Sequence, residues 1–90
     1  MEEVWVFVAD GSRFPSGIFT SKPYAEDSIQ KHRLTGVLTC YPVGRLAYDW
    51  AVDNGFFVPK NDLQKTSAFV GKFTSAAQKH FHYHDGQLEG

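Results

Sequence analysis

Three imidazoles, His80, His82 and His84, alternate with Phe81 and Tyr83 near the end of the chain. On an extended strand, residues two apart project from the same face. This spacing therefore gathers three good ligands for zinc, nickel or copper on one side. Same-face neighbours stand roughly 6.5–7 Å apart in Cα. Three imidazoles so spaced reach one tetrahedral ion only with a bend or a ligand from another segment. The residues support either a metal site formed by His80, His82 and His84 or a solvated polar row backing a buried Phe81/Tyr83 face. The solvated row is the plainer of the two.

The other reactive side chains lack partners at a telling spacing. Cys40 sits in Val37-Leu38-Thr39-Cys40-Tyr41, with no cationic neighbour or helix start to favour its thiolate, and reads as a buried structural thiol. Asp49 lies between Tyr48 and Trp50, four residues before Asp53. Carboxylates at that spacing are ordinary on a solvated helix face. The segment Gly11-Ser12-Arg13-Phe14-Pro15-Ser16-Gly17 has neither the spacing nor the lysine of a phosphate-binding loop and reads as a turn. With no catalytic constellation and no cofactor fingerprint, neither a catalytic residue nor a cofactor is expected. What remains is a supply of rings and charges suited to an interface. Phe14, Phe56, Phe57 and Tyr83 are the candidate anchors, and Arg13, Arg45 and Asp49 the charges that would orient a partner.

The elements that must position these groups follow from periodicity and punctuation. Val4-Trp5-Val6-Phe7-Val8 is apolar on both faces, which fits a strand covered on both sides and central in its sheet. Asp10-Gly11 starts a turn to Gly17-Ile18-Phe19-Thr20, a second strand hairpin-paired with the first. Ser21 caps a helix from about Lys22 to His32 with Pro23 in its first turn. Ala25 and Ile29 face the core there, and Glu26, Asp27, Gln30 and Lys31 face water. A third strand runs from Gly36 to Tyr41 and ends at Pro42. Leu46 to Val52 has helical spacing and stops at Asn54-Gly55. Lys60 to Ser67 reads as an exposed loop, and Ala68 to Phe73 fits either a helical turn or a short strand. Lys79 to His84 is a strand, turned by Asp85-Gly86 into Gln87-Leu88-Glu89. The expected fold is α+β: a mainly antiparallel sheet of about four to five strands packed with two helices.

Composition limits the rest. Ninety residues suit a single domain over 1–90. Eight Phe, four Tyr and two Trp supply the dense packing that a small core needs. A net charge of −1 with no basic run argues against nucleic acid as a partner. The single cysteine excludes an internal disulfide. The acidic Met1-Glu2-Glu3 start and the short apolar run Val4–Ala9 suit neither a signal peptide nor a membrane span. The expectation is a cytoplasmic protein.

Val4-Trp5-Val6-Phe7, Gly17-Ile18-Phe19, Leu34-Thr35-Gly36-Val37-Leu38-Thr39, Tyr41-Pro42, Tyr48-Asp49-Trp50-Ala51 and His80-Phe81-His82-Tyr83 together resemble a family of small bacterial proteins of unknown function. The resemblance covers nearly the whole chain and implies no activity. By analogy of size and class, the leading expectation is a non-enzymatic protein-binding domain, an immunity-type or regulatory partner. The alternative is a metal-binding domain using His80, His82 and His84.

Overall fold

The computed structural model describes residues 2–89. Five strands form one antiparallel sheet in the order β2-β1-β3-β4-β5. They are β1 (Glu3–Ala9), β2 (Gly17–Phe19), β3 (Gly36–Pro42), β4 (His80–His84) and β5 (Gln87–Leu88). The register sorts every strand residue to a face, because directly opposed residues project to the same side. Trp5 opposes Phe19 and Cys40, Phe7 opposes Gly17 and Leu38, Leu38 opposes Phe81, and Gly36 opposes Ala9 and Tyr83. These form the inner face. Gly36 is required there: a Cβ at this position would lie 2.3 Å from the Val8 carbonyl oxygen and 2.8 Å from the Phe7 ring.

Helix α1 (Lys22–His32) closes the inner face. The Ser21 side chain accepts the Tyr24 amide, and Pro23 occupies the first turn. The helix ends at Arg33, which is left-handed at φ 53°, with the Leu34 amide donating to the Ile29 carbonyl at 2.9 Å. Ala25 and Ile29 are fully buried against Trp5, Phe7, Leu38, Cys40 and Tyr83. The β4–β5 turn presses on the end of α1. Gly86, at φ +84°, donates its amide to the Leu34 carbonyl, and a Cβ there would meet the Arg33 Cα at 3.0 Å. Glu26 does not simply face water. It is half-buried, accepts the Tyr83 hydroxyl at 2.7 Å and pairs with Lys22 at 3.3 Å, while the Lys22 ammonium stands 4.1 Å over the Phe81 ring.

The chain between β3 and β4 makes a second, smaller packing unit. It contains α2 (Ala47–Asp53), a 3-10 turn (Asp62–Lys65) and α3 (Ser67–Lys72). Among the described residues the sheet is therefore accompanied by two helices of seven residues or more, as the α+β expectation has it, and by the short α3. Ala68–Phe73 resolves as mostly helical, because the Thr66 side chain caps it by accepting the Phe69 amide. The polar stretch before it is ordered by caps of its own, with Asn61 accepting the Gln64 amide. Rings hold this unit together. Phe57 lies 4.8 Å from Phe73 and 5.8 Å from Phe69 between centroids, and Tyr48 meets Phe73 edge-on at 5.4 Å. Ala51 is fully buried, and the Tyr48 hydroxyl donates to the Gln64 carbonyl at 2.9 Å.

The outline is correspondingly elongated, 44 × 28 × 22 Å with a radius of gyration of 14.4 Å. A compact chain of this length would measure about 12 Å. No helix among the described residues is long and apolar enough to cross a membrane.

Candidate functional site: the open face of the sheet

The reading of β1 as covered on both sides needs correction. β1 is interior to the sheet, between β2 and β3, but its faces differ: Trp5 and Phe7 are buried on one, and Val4, Val6 and Val8 are only half-buried on the other. The register places Val4 opposite Tyr41, Val6 opposite Ile18 and Thr39, and Val8 opposite Val37 on the outer side. Thr39 and Val37 continue the rows to His80 and His82 on β4. None of these residues is buried, and Ile18 is 67% exposed. A solvated antiparallel face ordinarily carries polar and charged side chains. Here β2, β1 and β3 present Val, Ile, Thr and Tyr without a single Lys, Arg, Asp or Glu. The histidines form one margin of this surface.

The histidine row is extended and exposed as its spacing requires. His80 and His82 rings stand edge-on with centroids 5.8 Å apart. His80 Nδ1 donates to the Gln78 carbonyl at 2.8 Å, so that nitrogen holds a proton and is not a ligand. Among the described residues, no three His, Cys, Asp or Glu side chains converge to hold one metal ion.

The candidate partner-binding residues do not share one surface. Tyr83 must be withdrawn as an exposed anchor: it is 2% exposed, because its side chain points inward beneath α1 to reach Glu26. Phe57 is half-buried in the ring cluster of the smaller unit. Phe14 is 71% exposed in the β1–β2 connection, with the Arg13 guanidinium 5.9 Å from its ring centroid. Phe56 is 56% exposed after α2, against Trp50 at 5.2 Å. Phe14 follows the Ala9 end of β1, whereas the α2 unit follows Pro42, which pairs with Glu3 at the other end. A seven-residue strand, about 20 Å long, lies between those ends. Arg45 is engaged by Asp53, and Asp49 is exposed in the first turn of α2.

Cys40 opposes Trp5 on the inner face and is 8% exposed. Burial pushes its thiol up to about 11; the Glu3 carboxylate, which takes a hydrogen bond from it, pushes the same way, and Lys79 opposes. The thiol is protonated at neutral pH and is a poor nucleophile. Burial, reinforced by the bond to Glu26, also raises the Tyr83 hydroxyl beyond the usual phenol range.

Sequence reasoning missed the outer face because Val4, Val6 and Val8 look the same under a helix or open to solvent. The signal that could have found it is the histidine row. If His80, His82 and His84 face water, every residue in register with them faces the same way.

No curated protein and no solved structure matches this chain. A family model, described as a domain of unknown function (DUF7710), matches residues 4–89. With the match covering all of the described sheet but its first residue, Glu3, and the three described helices, the chain belongs to the DUF7710 family.

Proposed function

We propose that this domain is a non-enzymatic protein-binding module that docks its partner on the open face of the sheet. The observation that carries this reading is the run of cross-strand rows, Ile18–Val6–Thr39 and Val8–Val37 with Val4–Tyr41, which no helix covers, which is exposed at Ile18 and half-buried elsewhere, is bordered by Thr74–Ala76 beside Val37, Thr39 and Tyr41, and is without formal charge. Contiguous apolar surface of this kind marks interaction sites on small proteins. A broad sheet face suits another protein surface better than a small molecule, which favours a concave, enclosing site. The lack of any Lys or Arg on the central strands' outer face, with a net charge of −1, offers nothing to a phosphate backbone. In this reading the protein is an immunity-type or regulatory partner in the bacterial cytoplasm.

The test is capture from the source cell with the tagged protein, run beside Val6→Asp and Phe14→Ala. Val6 is half-buried on the outer face, so a charge there disrupts that face without entering the inner core. The expected result is one reproducible partner that Val6→Asp loses and Phe14→Ala retains, with both variants melting near the parent. Capture indifferent to Val6→Asp overturns the face assignment. Failure to capture any protein, together with a stoichiometric small molecule or metal that raises the melting temperature, overturns the binding-module reading.

A further inference from the structure

The sheet and the smaller unit enclose a cavity of about 370 Å³ where β1 begins and β3 ends. Its walls are chemically uneven. Trp50 and Phe56 form one side, with ring centroids 5.2 Å apart and planes inclined at 39°. The acidic Glu2 and Glu3, the basic Lys79 and the buried Cys40 line the rest. The cavity has a firm floor: the buried Gln78 side chain donates to the Cys40 carbonyl at 3.1 Å, and the Cys40 amide donates to the Lys79 carbonyl at 2.9 Å. The volume sits at the small end of the range for enclosed ligand sites, roughly 300–1,000 Å³. A wider depression of about 780 Å³, beside the β4–β5 turn, has no aromatic wall, and its Arg33 and Asp85 are already paired at 3.3 Å.

Two carboxylates against one ammonium leave the lining net negative, and ring faces also attract cations. The complementary group is an organic cation with a planar face. A guanidinium meets each requirement: it stacks on an aromatic ring, sheds water more readily than an ammonium, and engages carboxylates through parallel N–H donors. We propose that this cavity receives an arginine side chain of the protein partner. The proposal rests on the protein-binding reading and deepens it by naming the chemistry of one contact. It uses Trp50, Glu2 and Glu3, which that reading left without a role, and assigns Phe56 to this cavity.

The test has two arms, both on the intact chain. In the first, N-acetyl-arginine amide and its neutral isostere N-acetyl-citrulline amide are titrated separately and followed by ¹H–¹⁵N correlation spectra. Arginine amide should shift the Trp50 indole N–H and the Gln78 and Lys79 amides, and citrulline amide should not. Glu2→Gln combined with Glu3→Gln should weaken the arginine response about tenfold, the scale of one charge-assisted contact. Phe56→Ala, at an exposed ring, should weaken it as well. Equal responses to the two probes, shifts that map elsewhere, or shifts that survive the double glutamine variant overturn the proposal.

In the second arm, the double glutamine variant is used to capture the partner identified with the parent protein. Weakened capture supports the arginine contact. Undiminished capture that still depends on Val6 overturns it while leaving the binding-module reading in place. A protein that binds arginine amide but captures no partner takes a free guanidinium ligand instead, which overturns both.

Discussion

Tyr83 shows how one hydroxyl can tie a small core to its covering helix. Its ring fills the inner face, and its oxygen donates to Glu26 at 2.7 Å. Tyr83→Phe removes one of the two partners of that half-buried carboxylate, leaving Lys22, and should lower stability by about 1–1.5 kcal/mol, measured by urea unfolding. Cys40 and Tyr83 both hold their protons more tightly folded than unfolded. The stability so contributed is fully present below the unfolded values and is lost as pH rises. For Cys40 the window runs from the ordinary 9.0 to about 11. The melting temperature should therefore fall across that window, and fall less in Cys40→Ala. A melting temperature equally steep in both proteins would detach the effect from Cys40. The same burial predicts slow labelling of the native thiol, and labelling as fast as in denaturant would contradict it.

At the level of elements, the two packing units depend on different contacts. Gly36 lets β3 lie close to β1, and Gly36→Ala forces a Cβ into the Val8 carbonyl and the Phe7 ring. That strain should cost about 3 kcal/mol in global stability, read from denaturant midpoints. The smaller unit relies on Tyr48, Phe57, Phe69 and Phe73 packing on one another. Each ring pairs with the other three, so Phe57→Ala removes three of the contacts and should cost about 3 kcal/mol locally. Hydrogen exchange should then show α2 and α3 losing protection while β1, β3 and α1 keep theirs. Uniform loss across the chain would mean that the two units unfold together.

Across the whole molecule, an elongated body carries one closed sheet face and one open one. The closed side draws its stability from packing: Trp5, Phe7, Ile29, Leu38 and Tyr83 are buried together. Folding should accordingly need no metal, unlike domains whose fold is built by one. Melting before and after chelator treatment should coincide, and a drop of many degrees with loss of bound metal would restore His80, His82 and His84 as ligands. The open side and the cavity beside Trp50 place the proposed contacts on the sheet and at its junction with α2.

Local signals determined a good part of this protein. Ser21, Pro23 and the Ala25/Ile29 spacing were enough to bound α1, because capping and helical periodicity act within one or two turns. The alternation through His80–His84 placed a strand, and Asp85-Gly86 placed its turn, since left-handed backbone favours those residues. Periodicity and turn signals likewise pointed to an α+β fold, and composition to a single domain with a small aromatic core. Tertiary structure decided what each face meets. Tyr83 and His82 are neighbours in one strand, yet one is buried and the other exposed, because α1 covers a single side of the sheet. Glu26 became half-buried only when Tyr83 arrived from 57 residues away. The smaller unit formed only when Phe57, Phe69 and Phe73 met Tyr48. The open face and the cavity are likewise products of long-range placement. A strand's own residues specify its alternation, but not which side of it another element will cover.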